Sequence, residues 1–518
     1  MNRNDMLQQL QDTTEWDIVI IGGGATGLGT AVDAASRGYK TVLLEQHDFA
    51  KATSSRSTKL IHGGVRYLAQ GNIKLVRESL KERGLLLKNA PHVTANIPFV
   101  LPCYSLWQKY FYGIGLILYD LMAGQWGLGK TRMISAKKTK EFLPTINKKK
   151  LRGGIVYHDG QFDDARLAIN LAKTAANHGA TVLNYTRVTG FIKEENKIIG
   201  VKVSDDLDGQ TYQLKCKSVI NATGVFTDAI LKMDDAMAKN IIQPSQGIHL
   251  VFDKKYFPGH AAMMIPKTAD GRVLFAVPWH EKIIVGTTDT EINTPLLEPI
   301  PLHEEVEFIL QHINKYLEPT LQTKDVYSVF AGLRPLVIKG DSQKTALMSR
   351  DHTLIVNNSG LVTITGGKWT TYRKMGEDAV NNAAFSAKLC KKNCVTETLK
   401  IHGWQIERDK TDPLNRYGSD AKAIMKLGEE TDGLNQCIHP AWPHIKAEVI
   451  WAVRYEMAMT VEDVLARRTR ILFVDARAAI DAAPEVAKLM ANELHRNKNW
   501  EHQQILQFNE IAKQYVLS

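Results

Sequence analysis

Residues 15–46, "EWDIVIIGGGATGLGTAVDAASRGYKTVLLEQ", read as a strand, a glycine turn, a helix and a second strand. Ile18 to Ile21 form a short β-branched apolar run, the pattern of a parallel strand buried on both faces. Gly22, Gly24 and Gly27 then complete G-x-G-x-x-G: the first for a tight turn, the second for close backbone approach to a pyrophosphate, the third for a helix lying close on its strand. The helix would turn free N–H groups and its positive end toward the phosphates. Ala31, Ala34 and Ala35 keep it slim, and Gly38 suits its C-terminal cap. Glu45 closes the second strand about twenty residues on, where a carboxylate accepts hydrogen bonds from ribose hydroxyls. A glycine motif alone is weak evidence. With strand, helix and acid in place it predicts a dinucleotide site, and the acid favours the unphosphorylated ribose of NAD or FAD over NADP.

The next stretch, "ATSSRSTKLIHGGVRYL" (52–68), is too polar for a core element, because each buried hydroxyl or cation would need its own partner. It reads as a loop built to grip an anion. Two further segments, "SVINATGVFTDAI" (218–230) and "LVTITGGKWTTYRKMGEDAV" (361–380), each run from an apolar strand into small residues. Taken alone they are tight strand-to-helix turns. Three such edges together suit a large planar cofactor across the carboxyl ends of a sheet, which favours FAD.

With 518 residues, 44% hydrophobic and 23% charged, the chain is globular and long enough for two or three domains. A net charge of +10 favours anionic partners. Its aromatics cluster with apolar residues rather than interleaving with basic ones, so no nucleic-acid partner is expected. The N-terminus lacks a signal-peptide pattern and no apolar stretch is long enough to span a bilayer, which suggests the cytoplasm. Five cysteines, an odd number, suit a reducing compartment; Cys390 and Cys394 lie close, but without a histidine between them no metal site is expected. "LWQKYFYGIGLILYDLMAGQWGLGK" (106–130) is aromatic and apolar, interrupted by Asp120 and flanked by lysine. Composition leaves open a helix lying in a membrane interface or one buried in a cap domain.

The chain resembles the FAD-dependent glycerol-3-phosphate dehydrogenase family, within the flavoprotein amine and hydroxy-acid oxidoreductases. The stretches "STKLIHGGVRYL", "FDDARL", "NATGVFTDAI", "AGLRPL", "MSRDHTLIV", "GGKWTTYRK" and "MTVEDVLARRTRILFVD" carry the likeness and fall in the family's order. The resemblance implies oxidation of sn-glycerol 3-phosphate to dihydroxyacetone phosphate, with hydride to flavin N5 and electrons on to a membrane quinone. Rivals are an oxidase passing electrons to O2, another hydroxy-acid or amine oxidoreductase, and, remotely, an FAD-containing nucleic-acid-binding protein. The implied fold class is α/β (α+β overall): a discontinuous Rossmann-like FAD-binding domain (1–90, 150–240, 345–388), a cap with an antiparallel sheet (91–149, 241–344) and a helical C-terminal domain (389–518). Asp270-Gly271 marks a hairpin in the cap, and Thr460 with Asp463 a capping box in the helical part. The implied setting is the cytoplasmic face of an inner membrane, on anionic lipid, with a homodimer left open.

By resemblance, the cofactor is held by Gly22, Gly24, Ala25, Thr26, Gly27, Glu45, Gln46, Ser54, Ser55, Lys59, Leu60, Ile61, His62, Gly63, Gly64, Ala222, Thr223, Gly224, Arg334, Gly366, Gly367, Lys368, Trp369 and Thr370. Arg66, Tyr67 and Arg350 face the substrate, since a phosphate dianion calls for arginine forks and a phenolic donor; alone, Arg350 reads as an ion pair with Asp351. His249 is the candidate base, because an imidazole can accept a proton at neutral pH; without the resemblance it reads as a core histidine. Arg334 is too basic to be a base and is assigned to orientation and alkoxide stabilisation, though by itself it reads as a loop arginine. Lys368, at a helix start, would stabilise anionic reduced flavin. Asp289 shapes the pocket.

Overall fold

In the computed structural model, which describes residues 1–65, 68, 71–338, 351–406 and 412–517, Trp16–Ile21 is a central strand. The sheet runs His352–Val356, Leu361–Gly366, Thr211–Asn221, Trp16–Ile21, Thr41–Leu44, Thr181–Leu183. Along this order the neighbours pair in parallel except the edge strand His352–Val356; off it Lys197–Asp205 pairs antiparallel with Thr211–Asn221, and Thr186–Glu194 antiparallel with Lys197–Asp205. Ile18, Val19 and Ile20 are wholly buried, as the apolar run predicts for a strand covered on both faces. The chain leaves Trp16–Ile21 toward Thr41–Leu44 on one side and reaches Thr211–Asn221 on the other, so the loops at the carboxyl ends diverge and open a crevice.

A second, ten-stranded sheet carries the remaining chemistry. Its core is Ile242–Asp253, paired antiparallel on one side with Lys282–Gly286 and on the other with Val326–Val337. The expected hairpin is present: Ala262–Ile265 and Leu274–Trp279 pair antiparallel about Gly271, whose φ is +82°. The sheet is not confined to the expected cap segments. Gly153–Phe162 pairs along its whole length with Thr94–Cys103, and Leu60–Ile61 adds to its other edge. Gly153–Phe162, in the segment the resemblance gives to the FAD-binding domain, is thus paired into this sheet, since period-two burial marks a strand without naming its partner.

Helices of the C-terminal part, among them Lys446–Glu456, Ala476–Glu493 and Lys498–Lys513, bury their apolar faces on one face of this sheet, against Val251, Trp279, Ile284 and Phe330. The capping box forms as expected: the Asp463 N–H donates to Thr460 Oγ1 (3.2 Å) and the Thr460 N–H to Asp463 Oδ2 (3.0 Å). The turn it opens delivers Arg467, Arg468 and Arg470 into the interior. Arg467 and Arg468 both pair with Asp48, and Arg470 donates to Asp164 (3.0 Å).

The apolar stretch after residue 105 is helix Leu106–Ala123, capped by Ser105. Gly113, Leu116, Tyr119 and Ala123 face inward; Trp107, Phe111, Ile114, Leu118 and Leu121 face outward, with Trp107 67% and Leu121 72% exposed. The buried-helix reading fails for this face. Asp120 Oδ2 accepts the Thr131 N–H (3.1 Å), which accounts for an acid in so apolar a helix.

Candidate active site

Gly22 has φ +109°, and a Cβ there would stand 2.8 Å from the Ala222 carbonyl oxygen. A Cβ on Gly27 would come within 1.8 Å of the Gly22 oxygen, so the third glycine of the motif is what lets helix Ala25–Ser36 start against its strand. Gly24 caps that helix without a side chain, and the Ala25 N–H donates to Ser54 Oγ (2.9 Å). Glu45 Oε2 accepts from the Gly23 N–H (2.6 Å) and Oε1 from the His47 N–H (2.8 Å). Burial raises the Glu45 carboxyl above its usual range, against these bonds. Burial, reinforced by Lys51, brings His47 down to about 4, so its ring is neutral at neutral pH.

The crevice is lined by Gly22, Gly24, Ala25, Thr26, Glu45, Gln46, Ser54, Ala222, Thr223, Gly224, Gly366, Gly367, Lys368 and Trp369, each expected from the sequence. The reading missed Arg187, Val188, Phe226, Leu297 and Pro335. No motif marks Val188, which is brought in by a strand remote from the glycine loop. Pro335 was within reach, as the residue after Arg334.

Other expected cofactor residues lie behind the lining. Gly27 and Ser55 are buried beneath it, and Leu60 and Ile61 are strand residues of the second sheet. The Gly63 N–H donates to the Tyr119 hydroxyl (2.8 Å), Thr370 Oγ1 donates to the His62 carbonyl (3.3 Å), and Gly64 turns at φ +80°. Lys59 departs furthest from the reading of this loop as an anion grip. Its ammonium is fully buried, donating to Asp164 Oδ2 (2.7 Å) and to the Ser55 carbonyl (2.8 Å), among the rings of Trp279, Phe330 and Phe473. Burial lowers it to about 7 against the pull of Asp164.

The loop from Thr53 to Thr58 continues from the crevice across the second sheet. Thr53 Oγ1 donates to the Leu333 carbonyl (2.7 Å), Arg56 to the Ala331 carbonyl (3.2 Å), and Thr58 Oγ1 meets His249 Nε2 (2.9 Å). On the facing strands His249 lies opposite Phe330, and Ser245 opposite Arg334. The Arg334 fork crosses Gly247: Nη2 donates to Thr287 Oγ1 and the Thr288 carbonyl (both 2.9 Å), and Nη1 approaches Asp289 Oδ1 (3.5 Å). Asp289 also accepts from the Ser245 hydroxyl. His249 is buried, and its pKa is held well below 6.5 by desolvation and then by the Lys59 and Arg334 charges. Lys368, on the crevice wall, reaches Ser79 Oγ (3.4 Å). The expected substrate residues Arg66, Tyr67 and Arg350 lie outside the described residues.

A parallel sheet with a glycine-lined crevice at its switch point, backed by an antiparallel sheet bearing histidine and arginine, defines a dinucleotide-dependent oxidoreductase of the flavoprotein type. The family model for FAD dependent oxidoreductases matches residues 17–373, and that for the C-terminal domain of alpha-glycerophosphate oxidase matches residues 363–504. Mitochondrial glycerol-3-phosphate dehydrogenase of Homo sapiens is 40% identical, the match covering 99% of this chain and 75% of that protein. The Arabidopsis thaliana mitochondrial glycerol-3-phosphate dehydrogenase is 39% identical, covering 97% and 86%. The solved structure of Bacillus halodurans glycerol-3-phosphate dehydrogenase complexed with FAD superposes with a TM-score of 0.82 at 29% identity, covering 99% of this chain and 98% of that one. The chain belongs to the FAD-dependent oxidoreductase family, in its glycerol-3-phosphate dehydrogenase branch.

FAD fits the residues present. Glu45, lining the crevice at the end of the second strand, would meet a ribose, Gly22 and Gly24 clear the approach to a pyrophosphate, and Ala222 to Gly224 and Gly366-Gly367 line the crevice with small residues.

Proposed function

We propose that this chain catalyses the FAD-dependent oxidation of sn-glycerol 3-phosphate to dihydroxyacetone phosphate and passes the electrons to a membrane quinone. One observation carries the reading most: a single loop, Thr53 to Thr58, joins the FAD crevice to the sheet face that bears His249 and Arg334. FAD supplies the two-electron acceptor for the hydride leaving the substrate carbon. His249, uncharged at neutral pH, takes the hydroxyl proton on Nδ1, the ring nitrogen with no hydrogen-bond partner among the described residues. Arg334 turns its charge toward the substrate oxygen and is kept from wandering by Thr287, Thr288 and Asp289. Lys368 adds positive charge at the crevice wall. Arg66, Tyr67 and Arg350 hold the phosphate in this reading, on the strength of the family resemblance.

The outward face of helix Leu106–Ala123 supports docking to a membrane surface, with Lys109, Lys130 and Arg132 close by in sequence to meet anionic headgroups. No helix among the described residues is long and apolar enough to cross a bilayer, so contact with the quinone would be made from the surface.

Anaerobic mixing with sn-glycerol 3-phosphate tests the reaction. Bleaching of the visible flavin band by this substrate, and not by glycerol, is expected; no bleaching would refute the assignment. Re-oxidation by quinone in vesicles without peroxide is expected next, whereas rapid re-oxidation in air with stoichiometric peroxide would make the protein an oxidase.

A further inference from the structure

We propose that Thr58 is a positioning residue that accepts the Nε2–H of His249 when the substrate hydroxyl donates to Nδ1, so that the ring is held as the tautomer able to take the substrate proton. The inference rests on the reading of His249 as the base.

Three contacts hold the imidazole. Thr58 Oγ1 lies 2.9 Å from Nε2, the Phe330 ring stacks on it at 4.8 Å between centroids and 18° between planes, and Gly286 packs at its edge. A Cβ on Gly286 would stand 2.3 Å from His249 Cδ2. A ring so enclosed does not turn over, so its nitrogens are not interchangeable. Nε2 belongs to Thr58, and Nδ1 is buried without a partner among the described residues.

A neutral imidazole carries one N–H. If Thr58 donates to a bare Nε2, the proton sits on Nδ1 and the ring cannot accept from an alcohol there. If Thr58 accepts from Nε2–H, Nδ1 is a base. A hydroxyl can play either part by rotating its own proton, so an alcohol donating to Nδ1 selects the second arrangement and Thr58 satisfies the N–H it leaves. The charged groups facing the ring are the Lys59 ammonium and the Arg334 guanidinium, and both oppose imidazolium. Lys59 is itself paired with Asp164, on a different element. The choice is therefore between two neutral tautomers.

In Thr58→Val the buried Nε2–H loses its acceptor, so kcat should fall about tenfold or more with KM within about twofold, and Thr58→Ser should restore most of it. The acidic limb of kcat should move to lower pH, because imidazolium loses a hydrogen bond to Nε2–H. Simple loosening of the packing would let in water and move the limb up, toward the ordinary histidine value. Flavin content and melting temperature show that each variant is folded; Thr58→Ala serves if the valine variant is not.

Nitrogen-15 shifts of the histidine rings read the tautomer directly in holoenzyme reduced anaerobically by excess sn-glycerol 3-phosphate, where substrate stays bound without turnover, His249 being assigned by the signal lost in His249→Gln. Protonated Nε2 and bare Nδ1 are expected. Bare Nε2, an upward limb, or unchanged kcat in Thr58→Val while His249→Gln is inactive would each overturn the role of Thr58. Full activity with an unchanged limb in His249→Gln would instead remove the base reading beneath it.

Discussion

Replacing Ile114 and Leu121 together by serine should release the protein from membranes without unfolding it. Both side chains point outward from helix Leu106–Ala123, at 65% and 72% exposure. Burying a whole Ile or Leu side chain contributes about 1.5–3 kcal/mol, so the exposed two-thirds of each is worth about 1–2 and the pair about 2–4 kcal/mol. That is roughly a 30- to 800-fold loss in vesicle partitioning. The assay is co-sedimentation with vesicles of mixed zwitterionic and anionic lipid, repeated in high salt to screen the contribution of lysine and arginine. The melting temperature should hold, since neither group leaves the core. Equal sedimentation of parent and variant, or a parent that never sediments, would refute the reasoning.

Glu45→Gln should weaken flavin retention about ten- to hundredfold, as charge-assisted hydrogen bonds count for about 1.5–3 kcal/mol; titration of stripped protein with FAD measures it. Gly27→Ala, whose Cβ would overlap the Gly22 oxygen, should yield no soluble yellow protein, and a normal flavin spectrum would contradict the close approach. His249 must be unprotonated to act and its pKa is depressed, so kcat/KM should hold as pH falls through 6.5 and be lost only below it. A pH–rate profile with its acidic limb at or above 6.5 would count against this environment. Arg334→Ala should lower kcat more than it raises KM, because the guanidinium faces the reacting oxygen in the proposed mechanism; steady-state kinetics separates the two.

What was legible in the sequence was local. The glycine spacing and Glu45 encode one turn and one strand end, and the tightest contact of Gly27 and the carboxylate bonds of Glu45 fall within thirty positions, though Gly22 also presses on Ala222. Lys59 shows where this stops: in a hydroxyl-rich loop it reads as a cation for an anionic ligand, yet it is sequestered by Asp164, 105 residues away. The turn between Leu274–Trp279 and Lys282–Gly286 was equally hidden, since His280 and Glu281 take positive φ (47° and 55°) where glycine or asparagine would have announced it. The helix at 106–123 showed its apolar and aromatic composition plainly, but which face turned outward was decided by Tyr119 and Leu116 finding partners elsewhere in the fold. His249 would have passed for a core histidine; family resemblance, not spacing, singled it out.

The arginines of the C-terminal turn bear on how the molecule comes apart. Asp48 and Asp164 are buried in the nucleotide-binding part and take Arg467, Arg468 and Arg470 as partners, while Arg166 of the same part is paired with Glu456 (2.5 Å). A polypeptide ending near residue 388 would leave Asp48 and Arg166 without their charged partners, a multi-kilocalorie penalty for each while it stays buried, whereas Asp164 would lose Arg470 but keep Lys59. The two matched family segments are thus expected to unfold together. Calorimetry should record one cooperative transition, and a protease that severs the C-terminal helices should release the flavin with them.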